Sequence, residues 1–116
     1  MKISNIEVFD IEPKIRTEAP DYPAPMSALH QRVVFKVTVD NGVIGYGEYR
    51  TYAPDKKVVE PLIGRNLFDF INHDLNIGMS QWCLGLSAAL YDAMGKCLDI
   101  PAYKLMGTKV RDRVAV

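Results

Sequence analysis

Two glycines, Gly45 and Gly47, lead into Glu48, Tyr49, Arg50 and Tyr52 in the stretch DNGVIGYGEYRTYAP. A carboxylate, a guanidinium and phenols placed so close together can hydrogen-bond the hydroxyls and carboxylates of a small polar molecule. A second polar run, PKIRTEAPDYPAPMSALH, holds four of the seven prolines together with Asp21, Tyr22, Met26 and His30. Its prolines forbid regular structure for long, and a loop of that length in a small domain is usually functional or disordered. Both runs are candidate binding elements.

The other reactive residues carry less. A G-x-G cradles phosphate when a helix N-terminus follows, and none follows Gly47 directly. Gly45 and Gly47 therefore read as a bend or a close approach of backbone. His30 and His73 have no Cys, His or carboxylate at metal-ligand spacing. Asp92 and Lys96, four apart, read as a surface ion pair. Cys83 and Cys97 would sit about 21 Å apart on one helix at ~1.5 Å per residue, too far for a disulfide. They read as small core residues in a reducing cytoplasm. No Ser, His and Asp set suggests a nucleophile, so the residues alone supply no self-sufficient active site.

The elements that position these loops follow from periodicity. Residues 2–12 predict a strand, with a slip in the alternation between Val8 and Phe9 that suggests a bulge or burial on both faces. Residues 32–40 alternate cleanly and predict a half-buried strand. Asn41-Gly42 then predicts a two-residue type I′ turn. That turn sets Val39 opposite Ile44, Val37 opposite Tyr46 and Phe35 opposite Glu48, so Glu48 is expected on the apolar face. A short helix is expected over 55–60, with Pro54 in its first turn and Pro61 as its stop. Another, capped by Asn66, is expected over 67–76. The longest is expected over 81–98, capped by Ser80, with Gly85 and Gly95 permitting tight helix packing. Its apolar stripe of Trp82, Leu86, Ala89, Leu90, Ala93 and Cys97 is widened by Leu84, Ala88, Tyr91, Met94 and Leu98. A helix so apolar needs cover on more than one side, and a three-stranded sheet can supply only one.

The totals agree with one soluble α+β domain. The chain has 116 residues, 48% hydrophobic and 24% charged, with fourteen basic and fourteen acidic residues. A cancelled net charge gives no field for nucleic acid or an anionic membrane surface. The basic cluster Lys104, Lys109, Arg111 and Arg113 reads as a solvated tail or domain junction. No stretch reaches the ~20 apolar residues of a membrane helix, and the N-terminus lacks a signal peptide's apolar run.

In this order, VVFKVTVDNGVIGYGE, LIGRNLFDF and ALYDAMGKCLDIPAYKLMGTKVRDRVAV resemble the N-terminal domain of the mandelate racemase and muconate lactonizing enzyme family, within the enolase superfamily. The match runs over nearly the whole chain, and departs at residues 53–61, where the family usually has a longer helix. The resemblance implies a three-stranded antiparallel meander followed by a helical bundle. It further implies that residues 1–116 form a cap over a (β/α)₇β barrel absent from this chain. That barrel would carry Mg²⁺ and the Lys or His bases that abstract a proton beside a substrate carboxylate. The cap would supply two substrate-selecting loops: Asp21, Tyr22, Met26 and His30 from one, and Glu48, Tyr49, Arg50 and Tyr52 from the other. No catalytic residue or metal ligand of the family maps onto this chain, so it is expected to be inactive alone. Its expected partners are its own barrel, a small carboxylate substrate and further copies of itself. Racemase, cycloisomerase and dehydratase reactions all fit, with a sugar-acid dehydratase preferred. The alternative is a stand-alone, non-catalytic binding module derived from the cap.

Overall fold

The computed structural model describes residues 1–12, 31–71 and 82–115. The loop carrying Asp21, Tyr22, Met26 and His30 lies outside the described residues, as do His73, the Ser80 cap and residues 72–76 of the second expected helix.

Strands β1 (Ile3–Ile11), β2 (Arg32–Val39) and β3 (Ile44–Tyr49) form one antiparallel sheet in the order β1-β2-β3. Alternation drives β2: Val33, Phe35, Val37 and Val39 are all buried, and the residues between them are half-buried. In β1 the irregularity falls between Ile3 and Asn5 rather than at Val8 and Phe9. The Ser4 hydroxyl, donating to the Thr38 carbonyl at 3.0 Å, holds the extra residue against β2. Beyond that bulge the alternation is regular. Val8 faces the core and Phe9, 44% exposed, faces out, so β1 is not buried on both faces.

The connecting helices are shorter than the sequence predicts. Helix α1 is Lys56–Val59. Asp55, not Pro54, begins it: its carboxylate is the N-cap and accepts from the Lys57 N–H at 2.9 Å. Pro61 does not end the coil outright, because its missing N–H is tolerated in a 3₁₀ turn over Glu60–Leu62. Asn66 caps as expected, accepting from the Phe68 N–H. It starts only a 3₁₀ turn, Leu67–Phe70, and Ile71 is already extended. This segment borders β1 through the Ile3 N–H to Arg65 carbonyl and Gly64 N–H to Ile3 carbonyl bonds.

Helix α2 (Trp82–Leu98) lies across the sheet, followed by the single turn α3 (Tyr103–Met106). Trp82, Leu86, Ala89, Leu90, Ala93 and Met94 are buried against β2 and β3. Cys83 and Cys97 are unbridged and pack at the edge of this core. Leu84 and Leu98 stay 58% and 46% exposed on the far side, so the widened stripe does leave apolar surface uncovered.

Candidate functional site

The β2–β3 hairpin decides which way the strand-end residues point. Its connection is Asp40-Asn41-Gly42, three residues rather than two. The Val39 N–H bonds the Val43 carbonyl and the Gly42 N–H bonds the Val39 carbonyl, each at 2.9 Å. Gly42 sits at φ +86°, the left-handed residue of a three-residue loop closed by a bulge. The Asn41 side-chain oxygen Oδ1 accepts from the Val43 N–H at 3.1 Å, a local turn bond that stabilises this arrangement.

The register is therefore shifted by one residue from the expected one: Val34 faces Glu48, Phe35 faces Gly47 and Val37 faces Gly45. One step reverses every side chain. Glu48 does not lie with the apolar row. It stands on the outer face, where its Oε1 is 3.2 Å from the Arg32 Nε, with the side chains 62% and 31% exposed. Arg32 is the partner that sequence reasoning missed. The signal was its diagonal position across β2, legible only with the correct turn.

What faces inward on β3 is instead Gly45, Gly47 and Tyr49. A Cβ on Gly45 would lie 2.6 Å from the Ala93 nitrogen, and one on Gly47 would lie 2.5 Å from the Ala89 nitrogen. The two glycines thus let β3 and α2 touch backbone to backbone, the close approach read from the sequence. The repeats match: two strand residues span ~6.8 Å and four helix residues ~6.0 Å. Gly47 can therefore ride over Gly85 and Ala89 while Gly45 rides over Ala89 and Ala93. Gly85 permits tight packing of α2 at this strand–helix seam. A Cβ there would meet Glu48, Phe35 and Tyr49 at 3.1 Å each. Phe35 and Trp82, ring centroids 6.2 Å apart, fill the space beneath.

The strand end is thus rigid below and open above. Tyr49 packs on the core edge, so it supports the site more than it reaches from it. Arg50 is exposed and Tyr52 is 61% exposed, both free of the core. At the same end of the sheet the Gln31 amide donates to the Asp10 carboxylate at 2.6 Å. The described part of the candidate site is therefore a rim of exposed Glu48, Arg50 and Tyr52, with half-buried Arg32 beside Glu48, on a packed base.

No family model matches the chain. A D-xylonate dehydratase from Haloferax volcanii is 34% identical over 100 residues, covering 72% of this chain and 24% of that protein. An enolase from Agrobacterium radiobacter, proposed as a galactarate dehydratase and solved with sodium and L-malate bound, superposes with a TM-score of 0.65 at 30% identity. It covers 100% of this chain and 30% of that one. A mandelate racemase/muconate lactonizing enzyme from Sulfitobacter sp. gives a TM-score of 0.64 at 25% identity, over 97% of this chain and 31% of that one. The chain belongs to the mandelate racemase/muconate lactonizing enzyme family of the enolase superfamily. It spans about a quarter to a third of the length of these relatives.

The α+β arrangement of this family member is that of the enolase-type N-terminal domain. Among its described residues, no group of three or more His, Cys, Asp or Glu could hold a metal ion. These described residues do not fit the Mg²⁺ that the family resemblance implies. Among the described residues, no helix is long and apolar enough to cross a membrane.

Proposed function

We propose that this chain is the substrate-capping domain of a Mg²⁺-dependent enzyme that dehydrates sugar acids. The similarity to a D-xylonate dehydratase, at 34% identity over 100 residues, carries this reading. In it, a barrel outside the chain holds the metal and the bases, and the β3 end lies over the substrate. Arg50 supplies a guanidinium for a carboxylate, and Tyr52 a hydroxyl for the polyol chain. Glu48, bridged to Arg32, is turned towards the outer face and fixes that guanidinium rather than gripping substrate directly. The packed seam of β3 on α2 keeps this rim in place while it excludes water. The exposed Leu84 and Leu98 of α2 are covered by the barrel or by a second copy. Two unbridged cysteines suit a cytoplasmic setting.

The test is to assay the polypeptide that joins this chain to its barrel against five- and six-carbon aldonates and aldarates, with and without Mg²⁺. Formation of a 2-keto-3-deoxy acid, abolished by chelator, is the expected outcome. Racemisation or cycloisomerisation without loss of water would overturn the dehydratase reading and leave the family intact.

A further inference from the structure

Asp92 and Lys96 have the spacing of an ordinary helix-surface ion pair, and Nζ stands 2.6 Å from Oδ2. Both also reach the main chain of β3. Asp92 Oδ2 accepts from the Tyr46 N–H at 2.8 Å, and Lys96 Nζ donates to the Ile44 carbonyl at 2.9 Å. The same Nζ lies 5.7 Å from the centroid of the Tyr46 ring.

These are main-chain groups that an edge strand leaves bare. In an antiparallel ladder, residues alternate between bonding across to the partner and facing away from it. The Val39 N–H bonds the Val43 carbonyl. From there the pairs step by two, through Val37 with Gly45 and Phe35 with Gly47 to Val33 with Tyr49. Ile44, Tyr46 and Glu48 therefore turn their N–H and C=O groups away from β2. Among the described residues no strand lies beyond β3. An unpaired edge of this kind is a template for another chain.

We infer that Asp92 and Lys96 stand in for the acceptor and donor of a fourth strand, sealing β3 against strand addition by a second copy of this chain. The second copy is the occupant because β3 is complementary to itself. Paired antiparallel about Tyr46, two copies would bond through the Tyr46 carbonyl and the Tyr46 N–H that Asp92 now caps. They would also set Tyr46 opposite Tyr46 on the outer face, where the ring is 52% exposed. The ion pair is thus a positioning and gatekeeping device, and it does not depend on which acid the enzyme dehydrates.

The double variant Asp92→Ala/Lys96→Ala of the 116-residue chain tests this by residue-resolved amide exchange. The Tyr46 N–H should exchange at least tenfold faster, while the Phe35 and Val37 amides on the covered side keep their rates. A fluorescent peptide of residues 43–50 should bind this variant and not the parent. Asp112→Ala, which breaks the Lys109–Asp112 pair on the C-terminal segment, should change neither readout. If the double variant does not fold, Asp92→Ala alone, which uncaps the Tyr46 N–H, should still capture the peptide. An unchanged Tyr46 rate, uniform acceleration of all sheet amides, or peptide binding to both proteins or to neither would overturn the seal.

Discussion

The two faces of β3 are built from the same six residues and obey opposite rules. Inward, Gly45 and Gly47 present no side chain at all, and any atom added there meets the backbone of α2. Outward, Tyr46 and Glu48 are exposed, and Arg50 and Tyr52 continue beyond the strand into solvent. Close packing tolerates almost no change of volume, whereas exposed polar side chains can be exchanged at little cost. The inward row thus fixes where the strand end lies, and the outward row is free to determine what it touches.

The sharpest way to break this contrast is Gly47→Ala. Its Cβ would fall on helix backbone, which cannot rotate away as a side chain could. We expect a loss of about 3 kcal/mol or more, at or above the usual range for overpacking. Urea unfolding of parent and variant measures it. A change under about 1 kcal/mol would mean that α2 can lift off the sheet, and that the strand end is not held as described.

The outward row should behave conversely. In the complete enzyme, Arg50→Ala and Tyr52→Ala should each lower kcat/KM about tenfold, roughly 1.4 kcal/mol of transition-state binding. Stability should stay within about 0.5 kcal/mol, as for other exposed positions. If both variants kept full activity on every acid sugar, the rim would be ordinary surface.

How far these roles were legible depends on one residue. The alternation of Val33, Phe35, Val37 and Val39 reveals β2, and Asn41-Gly42 reveals a hairpin. Glycine with positive φ serves a two-residue turn and a bulged three-residue turn equally well. The choice is made by bonds such as Asn41 to the Val43 N–H, which leave no mark in the pattern. Hence Glu48 is expected on the wrong face, while of the two roles read for Gly45 and Gly47, a bend or a close approach, the observed register selects the close approach to α2. The roles of Arg32 and of Asp92 with Lys96 lie in contacts across 16 to 52 residues of chain, beyond any local spacing.

Gly85→Ala sharpens the comparison at the boundary between the two rows. Its Cβ would meet Glu48, Phe35 and Tyr49 at 3.1 Å, tight but not prohibitive. Alanine gains about 1 kcal/mol of helix propensity over glycine, and the crowding takes much of that back. A net change within about 1 kcal/mol is expected, with the displacement concentrated at Glu48 and Tyr49. Amide chemical shifts of those two residues should move while those near Gly45 do not. A loss as large as that of Gly47→Ala would show the seam to be equally unforgiving along its whole length.

The smallest effect lies on the outer face, at the Glu7–Lys36 pair, 2.7 Å apart across β1 and β2. The hydrogen bond to Glu7, with its charge as the second cause, raises the Lys36 ammonium above its ordinary pKa of 10.5. A group whose pKa is higher in the folded chain stabilises the fold fully below its unfolded value. That contribution fades as pH rises through the folded value. The pair should therefore be constant at neutral pH and vanish only in alkali, above about 10.4. The measurement is a difference between parent and Glu7→Gln, so that contributions common to both cancel. The two Tm values should differ by a small, constant amount from pH 7 to 9 and converge as pH climbs past 10.5. Added salt should shrink the same gap, since the pair is partly exposed to solvent. A gap that persisted unchanged in alkali would assign the Glu7 contribution to packing on the sheet, and the outer face would then follow the stricter rule of the inner one.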